Sequence, residues 1–253
     1  MIIDKCALVI TSSVYVSAPF TVLVDPEERE KQYHDSISFF IKESPLTKII
    51  ICDNSGYHYP ESFYDLAGSH NKEIELLSFQ GNIELIANLG KGYGEGEIMQ
   101  FVLANSKLIR QVEGFLKVTG RLKLVNVTEL LRKCNHWENY FIPVSLLRPR
   151  FMVPKAARSC VDIRVYYTTN VFFREVLLNA YTDVRERNTF FLEHAYHRAM
   201  EISSIKVKCF STAPEIIGMS GSNGWMFKET GLLKKMLIRF VSFWGYIKPI
   251  YKP

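Results

Sequence analysis

Lys117, Thr119 and Arg121 alternate along Lys117-Val118-Thr119-Gly120-Arg121, so an extended segment projects all three from one face. A lysine and an arginine so placed can meet phosphate oxygens, the guanidinium as a two-pronged donor, while Gly120 lets a ligand approach the backbone. The same alternation also describes an ordinary half-exposed strand. A second candidate is Gly90-Lys91-Gly92-Tyr93-Gly94-Glu95-Gly96-Glu97, four glycines at alternate positions ahead of the helix-like run Ile98 to Ala104. A glycine loop feeding a helix start offers unpaired N–H groups to an anion, which nominates Gly90, Lys91, Gly92 and Gly94. Neither standard phosphate motif is met: GxxxxGK[ST] is absent, and Glu97 stands where a GxGxxG beginning at Gly92 needs glycine.

Three further groups carry charge or acid–base chemistry. Asp53-Asn54-Ser55-Gly56 can accept hydrogen bonds from a ribose or a base edge, or can simply close an Asx turn. Asp162-Ile163-Arg164 sits in an apolar run, where a charged pair is expensive unless paired or used; a salt bridge is the plain alternative. In Glu193-His194-Ala195-Tyr196-His197-Arg198, Glu193 shares a helix face with His197 and has the chemistry of a general base for a hydroxyl. A metal pair there lacks a third ligand. No DxD triplet occurs; Glu95 and Glu97 have that spacing but stand at a helix start, which favours acids in any case. Nucleophile-elbow and HExxH patterns are missing, which argues against the common serine hydrolases and zincins.

These residues need elements to hold them. Cys6 to Thr11 and Lys48 to Cys52 read as buried strands, Glu73 to Phe79 and Gly114 to Val118 as two more. Asp25-Pro26-Glu27-Glu28 starts a helix running to about Glu43, and the glycine loop starts another running to about Ile109. Further on, Val161 to Tyr167 predicts a strand, and Phe172 to Asn179 and Phe190 to Ile202 predict helices. The fold class expected is α/β, an open mixed sheet flanked by helices, with ligands outside the carboxyl ends of its strands. The turns at Asp53 and at Thr119–Arg121 both belong to that edge.

Composition bounds the rest. Of 253 residues 47% are hydrophobic and 23% charged, enough for one substantial core. Five scattered cysteines form no CxxC pair, which suggests neither a zinc site nor a disulfide framework and points to a reducing compartment. No signal peptide or membrane-spanning stretch is visible, so an intracellular protein is expected. The net charge of +5 is concentrated: residues 228–253 carry six basic residues and one acid, Glu229. The sequence is expected to divide into a body, 1–215, and a flexible linker with a basic amphipathic tail, 216–253. That tail has the composition of a helix lying on an anionic membrane, with packing against the domain or a dimer partner as its rival. Nucleic acid is the poorer partner, because the body carries no net positive charge.

Taken in order, these segments resemble the bacterial polysaccharide-biosynthesis glycosyltransferases of GT-A-like (Rossmann-like) fold. Val9-Ile10-Thr11 resembles their opening strand and Ile50 to Gly56 their "DNS" turn. Gly90 to Glu95 resembles the glycine loop before the donor-side helix, and Phe115 to Leu122 the "K-x-TGR" strand. Asp162 to Tyr167 and Phe191 to His194 resemble the later "D-x-R" and "LE" segments. The resemblance implies a nucleotide-sugar donor held by Thr11, Asp53, Asn54, Ser55, Gly90, Lys91, Gly92, Gly94, Lys117, Thr119, Gly120, Arg121 and Arg164. It implies a glycan acceptor, often lipid-linked, in capsule or O-antigen assembly on the cytoplasmic face of the cell membrane. Glu193 or Asp162 would be the base of an inverting transfer, and a retaining one stays open. The missing DxD leaves Mg or Mn in doubt, with Lys117, Arg121 and the glycine-loop amides as alternative stabilisers of a leaving diphosphate. Two other readings compete: another nucleotide-using enzyme such as a nucleotidyltransferase, and a silent membrane-bound scaffold.

Overall fold

β1 (Cys6–Ser12) is buried at every position, as its unbroken apolar run requires of a central parallel strand. A long loop leads to α1 (Pro26–Glu43), whose start is fixed by Asp25: its carboxylate accepts from the amides of Glu27 and Glu28, and Pro26 holds the first helical position. β2 (Lys48–Asp53), α2 (Ser62–Ser69), β3 (Glu73–Ser78) and α3 (Ile83–Leu89) follow, with Asn82 capping α3 at the Leu85 amide. Next come α4 (Lys91–Asn105), β4 (Gly114–Thr119), β5 (Lys123–Leu124), α5 (Val127–Leu131) and β6 (Tyr140–Pro143). β7 (Val161–Thr169) runs into the short α6 (Asn170–Phe172) and a π turn, and α7 (Leu192–Ile202) precedes β8 (Lys208–Cys209), β9 (Ile216–Met219) and β10 (Met226–Phe227). This computed structural model describes residues 2–143 except 17, 19 and 20, residues 160–219 except 204, and residues 224, 226, 227 and 236.

The main sheet has the order β3-β2-β1-β4-β7-β6-β8, and a small sheet has the order β10-β9-β5. β3, β2, β1 and β4 are parallel; β7 is antiparallel to β4, pairing Gly114 with Thr169 and Val118 with Val165. The C-terminal ends of the parallel strands therefore share one edge with the beginning of β7. The architecture is α/β with an open mixed sheet flanked by helices, as the strand–helix rhythm predicts. Alternate residues of β1 feed two cores. Leu8 and Ile10 join Tyr33, Ile37 and Phe40 of α1; Ala7 and Val9 join Ile98 and Val102 of α4 and Tyr196 of α7.

Three helices, α2, α3 and α5, were not expected, and one expectation is corrected. The glycine run is not a loop before a helix but the first two turns of α4 itself, which ends at Asn105 rather than Ile109. Glycine disfavours helix by about 1 kcal/mol per residue, so local propensity argues against this. Packing overrides it: a Cβ on Gly96 would lie 2.0 Å from Tyr181 Cβ, and one on Gly94 2.8 Å from Asn54 Nδ2. The segment beginning at 216 opens with β9, which pairs with β5, and Phe227 of β10 packs against the first core. Residues 228–253, apart from Met236, and the Ser220 to Asn223 approach lie outside the described residues. Among the described residues no helix is long and apolar enough to cross a membrane.

Candidate active site

The ends of β1 and β4, the head of β7 and the first turns of α1, α4 and α7 surround a cavity of about 250 Å³. It lies where an α/β sheet of this connectivity presents ligand sites, outside the carboxyl ends of parallel strands. Of the residues singled out in the sequence, Thr11, Asn54, Lys91, Gly92, Gly94, Thr119, Arg121, Arg164 and Glu193 line it together.

Cations shape one part of the lining. Arg121 is buried, lies over the Tyr33 ring at 5.9 Å and donates through Nη1 to Gln32 Oε1 at 3.2 Å. Its Nε–H is buried with no acceptor among the described residues. Arg164 is locked by Asp162, which accepts from Nε at 2.9 Å and from Nη2 at 2.5 Å, and its guanidinium covers the Phe227 ring at 4.7 Å. Arg29, which local sequence reading missed, donates to the carbonyls of Ser13, Val14 and Leu23 and to the Tyr33 hydroxyl. It thereby clamps the β1–α1 loop, whose Ser13, Val16, Ala18 and Thr21 form a cavity wall. Its position on the stripe Arg29, Tyr33, Ile37 of α1 is the signal: an arginine on a buried apolar face has to be holding something.

Three carboxylates also line the cavity, and each is in a different state. Glu95 is ion-paired with Lys117, whose ammonium is wholly buried and also donates to Thr119 Oγ1 at 3.0 Å and to Ile163 O at 2.7 Å. Glu186 accepts from the Gly92 amide at 2.9 Å at the start of α4, and burial pushes its carboxyl up. Glu193, in the first turn of α7, is pushed up to about 7, chiefly by burial, with the charges of Glu95 and Asp162 adding to the effect and Lys91 opposing it. A carboxyl poised there exchanges protons readily at neutral pH.

The remaining sequence candidates do not line the cavity. The Asp53 carboxylate is filled from within: Oδ2 accepts from Ser12 Oγ at 2.9 Å and the Val14 amide at 3.0 Å, Oδ1 from the Ser55 amide at 2.7 Å and Ser55 Oγ at 2.5 Å. Asp53 and Ser55 thus form the turn that presents Asn54, whose Nδ2 donates to Gly94 O while its buried Oδ1 has no donor among the described residues. Lys117 lies beneath the floor with its three protons committed. Asp162 is committed to Arg164. Gly120 permits close backbone packing, since a Cβ there would lie 2.5 Å from Thr11 O. Gly90, with φ at +116°, accommodates the Glu186 side chain, which a Cβ would meet at 2.2 Å. The glycine pattern does mark an anion at a helix start, and that anion is the protein's own Glu186.

Among the described residues, the carboxylates of the cavity do not offer a divalent metal a ligand set. Glu95 is tied to Lys117 and Glu186 to the α4 amides, and among the described residues no three His, Cys, Asp or Glu side chains are grouped as ligands. Glu97 faces away, accepting from the Asn82 amide at 3.2 Å.

No family model matches this chain, and no curated protein matches it. Solved structures share its general arrangement at very low identity. The glycosyltransferase GlyE of Streptococcus pneumoniae TIGR4 aligns at 12% identity and a TM-score of 0.45, over 78% of this chain and 43% of that one. Core-mannan synthase A from Aspergillus fumigatus, in its Mn/GDP form, aligns at 10% identity and 0.44, over 94% and 85%. 4-Diphosphocytidyl-2C-methyl-D-erythritol synthase from Anaerococcus prevotii aligns at 10% identity and 0.44, over 95% and 97%. The chain spans less than half the length of GlyE.

Proposed function

We propose that this chain is a glycosyltransferase that moves a sugar from a nucleotide diphosphate donor to a hydroxyl of a glycan. The observation that carries the reading is the coexistence, in one cavity, of an arginine with a buried, unmatched N–H and a glutamate poised near neutrality. Arg121, Lys91 and Arg164 supply positive charge for a diphosphate, and Asn54 Oδ1 supplies a buried acceptor for a donor hydroxyl. Glu193 takes the proton from the acceptor hydroxyl as its oxygen attacks the anomeric carbon. The bond from that carbon to the diphosphate breaks, and the electron pair leaves with the nucleotide diphosphate toward the cations. Asp162 and Lys117 act one layer behind, holding Arg164 and Glu95.

The finer reading is a hexosyltransferase of bacterial capsule or O-antigen synthesis, peripheral on the cytoplasmic face of the membrane and using a lipid-linked acceptor. What supports it is the order of sequence motifs and the basic, aromatic composition of residues 228–253.

Calorimetry with UDP- and GDP-sugars tests the donor, with a CMP-sugar, whose leaving group is a monophosphate, as the contrast. One of them binds, and Arg121→Ala weakens it by roughly 10- to 100-fold, the scale of one charged hydrogen-bond set. Unchanged affinity in the variant removes Arg121 from the site. Preference for a nucleoside triphosphate over every nucleotide sugar supports a nucleotidyltransferase instead, and no nucleotide binding at all supports a scaffold.

A further inference from the structure

Two of the cations that line the cavity lack what the others have. Arg164 is ion-paired with Asp162, and the charge of Lys91 acts on both Glu186 and Glu193. Arg29 and Arg121 are 4% and 8% exposed, and among the described residues neither is ion-paired with a carboxylate. They share one aromatic ring: the Arg29 guanidinium lies 5.7 Å from the centre of Tyr33 and that of Arg121 5.9 Å. The groups that meet them are neutral. Arg29 donates to backbone carbonyls and the Tyr33 hydroxyl, and Arg121 donates to the Gln32 amide oxygen. The buried Nε–H of Arg121 meets no acceptor among the described residues. The Asp53 charge reaches Arg29, but that carboxylate already accepts from Ser12, Val14 and Ser55. Burial pulls the Arg29 guanidinium below its ordinary value; Tyr33 and Asp53 oppose this, and the Arg121 charge adds to it. Two guanidiniums so buried and so close are costly without a counter-charge.

We propose that Arg29, Tyr33 and Arg121 form a discrete oxyanion site on the α1 wall of the cavity, built for a doubly charged phosphate group and able to hold one with no nucleotide or sugar attached. Two uncompensated guanidinium charges select a dianion over a singly charged carboxylate. The hydrogen bonds divide the roles. Arg121 meets the anion, because it has an N–H to give. Arg29 is a positioning residue: its bonds to Ser13, Val14 and Leu23 keep the β1–α1 loop in place as the wall, and its charge acts at short range beside Arg121. The carboxylates Glu186 and Glu193 line the cavity from the side of α4 and α7, so a dianion is favoured against α1 and disfavoured against them. A nucleotide-sugar donor would then turn its diphosphate to α1 and its sugar toward Glu193; only this orientation rests on the proposed transfer reaction.

The test needs no donor or acceptor. Inorganic pyrophosphate and acetate are titrated into the full chain by calorimetry at matched ionic strength. Pyrophosphate binds, and acetate binds at least about tenfold more weakly. Arg121→Gln and Arg29→Gln each lower the pyrophosphate affinity by roughly tenfold or more. Lys107→Gln removes the same charge from the exposed segment ahead of β4, at the opposite end of the sheet, and changes the affinity by less than about twofold. Arg29→Lys separates charge from clamp. Lysine keeps the charge but cannot reproduce the bonds to three carbonyls, so this variant is expected to stay within about threefold of the parent. No pyrophosphate binding, acetate binding as tightly, or Arg29→Lys as weak as Arg29→Gln overturns the proposal. Should Arg29→Gln fold poorly, Arg29→Lys and Arg121→Gln decide it: the first must bind like the parent and the second must not. Pyrophosphate binding with no binding of any nucleotide sugar supports the site and removes the transfer reading. A nucleotide sugar bound by a protein that ignores pyrophosphate does the reverse.

Discussion

Glu193 shows how one side chain ties stability to chemistry. Its carboxyl sits at about 7 in the folded chain against an ordinary value of 4.5. Between those values the folded state keeps a proton that the unfolded state has released, so stability falls as pH rises through the window and levels off above 7. Glu193→Gln removes that penalty. The variant is expected to be more stable than the parent at pH 8, by about 1–3 kcal/mol, and to show little of that advantage near pH 4.5. Urea unfolding at both pH values checks it; an equal difference at both would show that the carboxyl does not titrate in this window. The same proton sets the sign for catalysis. In the proposed transfer Glu193 works as a base only when ionised, so the rate is expected to rise through about pH 7 and the Gln variant to lose that limb with a rate deficit of roughly 10²–10⁴.

At the scale of elements, packing decides what propensity leaves open. α1 was legible to the residue because Asp25 and Pro26 are local signals that act on their own neighbours, and β1, β2 and β4 were legible because central parallel strands are continuously apolar. The start of α4 was not legible. Four glycines describe a loop unless one knows that Tyr181, Leu192 and Asn54, distant in sequence, press on that helix. The site divides in the same way. The ends of strands place Thr11, Thr119 and Arg121 at the ligand edge, but whether Asp53 or Lys117 faces the cavity depends on partners that no short window contains. Arg29 left a local trace on its helix stripe; Glu186 left none. Two alanine substitutions test the packing argument. Gly96→Ala places a methyl 2.0 Å from Tyr181 Cβ, which lies too close to the backbone to move cheaply. It is expected to destabilise by about 1–3 kcal/mol in spite of the better helix former. Gly68→Ala in α2, where a Cβ meets nothing within 4 Å, is expected to stabilise by about 0.5–1 kcal/mol. Thermal unfolding of both variants decides it, and a stable Gly96→Ala protein would mean that the glycines are not there for packing.

At the scale of the whole molecule the charge is asymmetric. Lys and Arg number 31 against 26 Asp and Glu; residues 228–253 hold six of the first and one of the second, so the other 25 and 25 cancel. On the proposed membrane-peripheral reading, a neutral body with a basic, aromatic tail would be held to an anionic surface by the tail's charge. The tail's contribution is electrostatic, about 1 kcal/mol per basic residue near an anionic surface, and is screened as the Debye length falls from about 10 Å at 0.1 M salt to about 3 Å at 1 M. Vesicle binding of the full chain is therefore expected to fall steeply between roughly 0.05 and 0.5 M salt. Replacing the six basic residues of 228–253 by Gln should flatten that dependence, which co-sedimentation across the same salt range checks. A six-Gln protein that retains the full salt dependence would place the electrostatic contact on the body, although residues 1–227 carry no net charge, and would overturn the tail's role.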